Sequence, residues 1–92
     1  MIIEVSTNYE GEIVLSAFEA LNLSEIQNQI EDITGEEVSL ESLENLESKA
    51  GRIHIVNPYI HRGQPNSWIF RKTSKEEFNK RVLEEAQAKL LK

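Results

Sequence analysis

Apolar positions change their spacing several times along the chain, and each spacing predicts an element. The stretch from Val38 to Thr73 has the clearest rhythm. Leu40, Leu43, Leu46 and Ala50 recur every three or four residues, as on one face of a helix, behind a capping Ser39 and ahead of Gly51. Arg52 to Val56 then alternates, with Ile53 and Ile55 on one side and His54 and Val56 on the other, which predicts a strand. Pro58, Gly63, Pro65 and Asn66 interrupt any regular ladder and predict an exposed loop. Trp68 to Lys72 predicts a second strand.

The flanks read in the same way. MIIEVS is a short run with β-branched residues and predicts a strand at a sheet edge. Tyr9, Ile13, Val14, Ala17, Phe18 and Leu21 fall on one face of a helix, with Thr7 and Glu10 as a capping box. The rival for this stretch is a hairpin turning at Glu10-Gly11, with Ile13 to Leu15 in a strand. Ser24 caps a second helix, with Gln27 at the capping-box position, Ile26, Ile30 and Ile33 inward and Gly35 as its stop. Thr73 or Ser74 caps a last helix with the stripe Phe78, Val82, Leu83, Ala86 and Leu90. Glu76 and Glu77 suit the positive end of its dipole, and Lys89 and Lys92 the negative end.

Three helices, a glycine and a two-stranded ribbon with a polar tip follow the order of a winged-helix domain. Over residues 9–73 the sequence resembles that family. ALNLSEIQNQI resembles the turn into the second helix of a helix-turn-helix. SLESLENLESKAGRIHIV resembles a third helix running into the first wing strand, and RGQPNSWIFRKT the wing tip and return strand. The resemblance implies a mainly α fold with a small antiparallel β wing, residues 1–92 forming one domain and residues 74–92 a C-terminal helix suited to dimerisation. It also implies a DNA-binding regulator, with Glu41, Asn45 and Ser48 at the bases and Arg62 at the wing tip. The alternative fold is α+β and β-grasp-like, with MIIEVS and EIVLSAF as an opening hairpin.

Charge changes this picture. The 92 residues sum to −6, but the sign is divided. Residues 1–50 carry 12 acids and one lysine, and residues 51–92 carry 4 acids and 9 lysines or arginines. A third helix bearing Glu41, Glu44 and Glu47 is repelled by phosphates, because affinity for a duplex comes mostly from lysine and arginine. DNA contact therefore falls to the wing and basic flank: Arg52, His54, Tyr59, His61, Arg62, Arg71, Lys72 and Lys75. Asn45 can read adenine, and Tyr59 and Trp68 can stack on bases. The alternative is an acidic protein-interaction module or inhibitor, a nucleic-acid mimic included. Its docking face would be Glu36, Glu37, Glu41, Glu44 and Glu47, and its partner a basic protein.

Chemistry beyond binding finds little support. The chain has no cysteine, which excludes disulfides and thiolate metal sites. His54 and His61 form an acid–base pair for RNA cleavage only with a third residue to fix them, and none stands at recognisable spacing. No carboxylate lies near them in sequence to complete a metal site. The expectation is no enzyme, no cofactor and no metal. No apolar run reaches spanning length and no basic leader precedes one, so the expectation is an intracellular, cytoplasmic protein without a membrane partner.

Overall fold

The computed structural model describes residues 1–47, 51–58 and 63–90. Its elements are β1 (Ile2–Tyr9), β2 (Glu12–Glu19), α1 (Leu23–Thr34), α2 (Leu40–Glu44), a 3-10 turn (Asn45–Glu47), β3 (Arg52–Val56), β4 (Ser67–Thr73) and α3 (Lys75–Leu90). The strands make one antiparallel sheet in the order β2-β1-β4-β3. With 43% helix and 34% strand among the described residues, the fold is α+β. The mainly α winged helix-turn-helix is thereby overturned, and the α+β alternative fits.

The correction begins at the first hairpin. Residues 9–22 form no helix; β1 turns at Glu10-Gly11 and returns as β2. Glu10 (φ 52°) and Gly11 (φ 94°) both have positive φ, the requirement of a type I′ turn, which matches the twist of the flanking strands. Asn8 Oδ1 accepts from the Gly11 N–H at 2.7 Å and closes the turn. MIIEVS is no edge strand either. β1 lies between β2 and β4, and Ile3, Glu4 and Val5 are buried in succession because both faces of the sheet are covered.

On one face, Ile3, Val5, Trp68, Phe70 and Ile53 pack against Ile26 and Ile30 of α1, Val38, Leu43 of α2 and Leu46. α1 starts two residues earlier than a Ser24 cap requires: Asn22 is the cap, accepting from Glu25 N–H at 3.0 Å. Glu25 reaches back to accept from the Leu21 N–H at 2.7 Å, one residue ahead of the cap. Gln27 instead donates to Val38 C=O at 2.8 Å and pins the segment that follows α1. Gly35 ends the helix in the left-handed region at φ 77°, as expected.

The long third helix is also absent among the described residues. α2 runs only from Leu40 to Glu44 before tightening to 3-10. Spacing explains this. Residues three apart eclipse in a 3-10 turn but drift round an α-helix, so Leu43 and Leu46 are fully buried while Leu40 stays 60% exposed. Ser48, Lys49 and Ala50 lie outside the described residues.

α3 covers the other face. Ser74 caps it, accepting from Glu77 N–H at 3.2 Å. The expected stripe packs poorly: no α3 residue is buried, and Leu83 and Leu90 are 63% and 85% exposed. Phe78, Arg81 and Glu85 are half-buried. Beyond the half-buried Phe78, the described ion pairs from α3 to the sheet are Arg81–Glu4 and the exposed Lys89–Glu12. Register sets Glu4 directly opposite Arg71, and Glu4, 1% exposed, lies 2.9 Å from Arg71 Nε and 3.1 Å from Arg81 Nε. Neither contact is aligned as a hydrogen bond, so the attraction is chiefly Coulombic.

Candidate functional site

The sheet has free edges at β2 and β3, and β3 opens onto a groove. Two backbone bonds fix which groups face outward. Ala20 N–H donates to Met1 C=O across β1 and β2, and Asn57 N–H donates to Asn66 C=O beyond the end of β3 and β4, each at 2.9 Å. Antiparallel pairs alternate between bonded and unbonded. The odd residues of β1 therefore bond β2 and its even residues bond β4. The odd residues of β4 are then committed to β1, which leaves its even residues for β3. Ile53 and Ile55 consequently bond Phe70 and Trp68. Arg52, His54 and Val56 turn their N–H and C=O groups to the free edge, where no other strand pairs with them among the described residues.

Beside this edge runs the segment between α1 and α2. Glu36, Glu37, Val38, Ile53, Ile55 and Val56 are among the residues lining a groove of about 610 Å³. Its floor is apolar, from Val38 and the inward side chains of β3. Its wall is acidic, from Glu36 and Glu37, both exposed. Ser39, the cap of α2, and Ser42 also line the groove, and α2 carries exposed Glu41 and Glu44 alongside. Glu47 stands apart, beside Lys72 and Thr73. Glu31, Asp32, Glu36, Glu37, Glu41, Glu44 and Glu47 are all exposed, and none enters an ion pair among the described residues.

The expected nucleic-acid residues are dispersed. Arg52 and His54 are exposed on β3, on the α3 side of the sheet. Arg71 shares that side but is engaged by Glu4. Lys72, one residue on, points to the opposite side. Lys75 sits over β1 and β2, lining a groove with Ile2, Ala17 and Phe78. Asn45 is exposed at the start of the 3-10 turn. Tyr59, His61 and Arg62 lie outside the described residues, so the His54–His61 pair has no described geometry. Trp68 is 5% exposed and belongs to the core rather than to a stacking surface.

Among the described residues no three His, Asp or Glu side chains converge as a metal requires. No helix among them is long and apolar enough to cross a membrane. Sequence reasoning marked Glu36 and Glu37 by their charge. It missed Val38, Ile53, Ile55 and Val56 as partners in a groove, because only the tertiary fold sets the segment after α1 beside β3. It also missed Glu4, whose single signal is a lone acid inside an apolar β-run. No family model, no curated protein and no solved structure matches the chain.

Proposed function

We propose that the protein is an acidic interaction module that docks a basic protein segment in the groove between β3 and the segment joining α1 to α2. One observation carries this reading: exposed carboxylates with no ion-pair partner among the described residues wall an apolar groove at Glu36 and Glu37. Like charges gathered on one surface repel one another, and a cationic partner relieves that repulsion. Apolar floor and charged rim are the anatomy of a binding patch in which the floor supplies affinity and the rim supplies steering.

Binding of DNA through the basic flank is the rival. It needs arginines and lysines on one surface, whereas Arg71 is held by Glu4 and Lys72 points away from Arg52.

The test measures fluorescence anisotropy with labelled basic and neutral peptides and with random duplex DNA, at low and physiological salt. The basic peptide binds, and the Glu36→Lys, Glu37→Lys double variant weakens it by about tenfold or more, since each reversal replaces an attraction with a repulsion. Glu76→Lys with Glu84→Lys on α3 makes the same change in net charge and leaves binding within about twofold of wild type under the same screening. Equal loss in both double variants, or duplex binding without peptide binding, overturns the proposal.

A further inference from the structure

We infer that the groove takes its ligand as an added β-strand: an extended segment pairs antiparallel or parallel with the free edge of β3 and presents alternating side chains to two unlike surfaces. This rests on the acidic groove being the docking site, and it specifies how the partner is held.

The backbone is the first part of the argument. Arg52, His54 and Val56 offer outward N–H and C=O groups in register, and β3 is the last strand on that side of the sheet. Val56 is 62% exposed and His54 is exposed, so α3 does not cover this margin. An open edge is a template for another strand, and folds usually blunt it with lysine, proline or a bulge. β3 carries no lysine or proline, and its one charge, Arg52, stands at its first residue. β2 is also open, but its adjoining grooves are roofed by α3 residues such as Val82, Glu85 and Lys89, where an acid and a base alternate. Only the β3 edge has a one-signed wall next to it among the described residues.

Side-chain alternation supplies the specificity. Neighbouring residues of an added strand point to opposite sides of the sheet. Those on the α1–α2 side lie over Val38, Ile53 and Ile55 and reach Glu36 and Glu37. Lysine, arginine or an aliphatic residue suits them. Those on the α3 side stand next to Arg52 and His54, where a second lysine is repelled and threonine, serine or aspartate fits. The partner is therefore not simply cationic. It is an extended segment, basic and apolar on one side and small or acidic on the other, held by main-chain bonds with pockets for alternate side chains.

The probe is a synthetic peptide of about seven residues, close to common strand length, with Lys, Val and Lys on alternate positions and Thr between them. A scrambled peptide of equal composition is the control. N-methylation at alternate positions removes donors from one edge of the peptide at a time without touching the protein. Methylation on the edge that faces β3 weakens binding about tenfold, and methylation on the other edge about twofold or less, because only the first removes hydrogen bonds.

His54→Pro removes an outward donor while sparing the bonds of Ile53 and Ile55 to β4, a position where an edge strand tolerates proline. It weakens binding to a similar extent with an unchanged circular dichroism spectrum. Leu15→Pro, on the β2 edge, leaves binding unchanged.

Equal effects of methylation on both edges, or equal affinity of the scrambled peptide, overturn strand addition. If the Glu36 and Glu37 reversals abolish binding while the methylated peptides and His54→Pro bind normally, the acidic groove stands and strand addition falls. If no basic peptide binds, or if Leu15→Pro alone abolishes binding, both fall. Association of two copies through β3, seen as a dimer that His54→Pro dissolves and that excludes the peptide, also overturns the proposal.

Discussion

Replacing Arg71 with methionine tests how much the buried charge cluster around Glu4 contributes to stability. Glu4 is 1% exposed, and its described cationic neighbours are Arg71 and Arg81, with side chains 19% and 35% exposed. Removing one partner of a buried ion pair costs about 3–5 kcal/mol, because the remaining charge stays away from water. Arg81 remains to compensate part of that charge, so the lower value, about 3 kcal/mol, applies to Arg71→Met. At ~0.05–0.15 kcal/mol per residue, a domain of this length is stable by about 5–14 kcal/mol, so the loss is a large share of the total. In a domain of this size each kcal/mol moves Tm by roughly 4–8 °C, which gives a fall of about 12–24 °C. Thermal unfolding followed by circular dichroism, repeated at high salt, reads both the fall and its weak dependence on screening. The double variant Glu4→Leu with Arg71→Met removes the stranded charge and recovers part of the loss, but not all of it, because Arg81 then has no partner on the sheet. A fall below about 4 °C for Arg71→Met would place the pair among exposed ones of little consequence and refute this account of a buried charge cluster.

Other expectations are narrower. Gly11→Ala strains a backbone that stands at φ 94° with no atom near its Cβ position, so the loss is conformational alone, about 1–2 kcal/mol by urea unfolding. Leu43→Ala costs about 2–5 kcal/mol, as for a fully buried leucine, whereas Leu40→Ala, 60% exposed, stays within about 0.5 kcal/mol; equal losses would refute the eclipsed 3-10 packing. Amide hydrogens of α3 exchange faster than those of β1, since α3 has no buried residue and β1 is covered on both faces; equal protection, measured by NMR, would contradict a helix held without buried residues.

The C-terminal half was the more legible part of the sequence. β3 begins and ends where alternation places it, and Ser74 opens α3. These elements carry one period each, with punctuation at both ends. Residues 9–22 carry two. Tyr9, Ile13, Val14, Ala17, Phe18 and Leu21 satisfy a helical stripe, while the β-branched pair Ile13 and Val14 and the Glu10-Gly11 turn satisfy a hairpin. The sheet decided between them: β1 needs a neighbour on each edge, and β2 supplies one. In that setting Leu21, a member of the helical stripe, is 87% exposed. The wing strands were found, but their setting was not, because β4 pairs with β1 as well as β3. The acidic residues were legible as charge. Their meeting with a free edge was not, since the approach of Glu36 and Glu37 to β3 depends on where α1 delivers the chain.

The placement of β1 in the middle of the sheet has a consequence for synthesis. β1 and β2 leave the ribosome early as a ready hairpin, while β4, the strand β1 faces on its other side, is made much later. Until then the even residues of β1 have no bonding partners. A pairing this distant in sequence is slow to close, and a chain waiting for it is open to misassembly with its neighbours. The nascent hairpin is thus where a chaperone would be needed most.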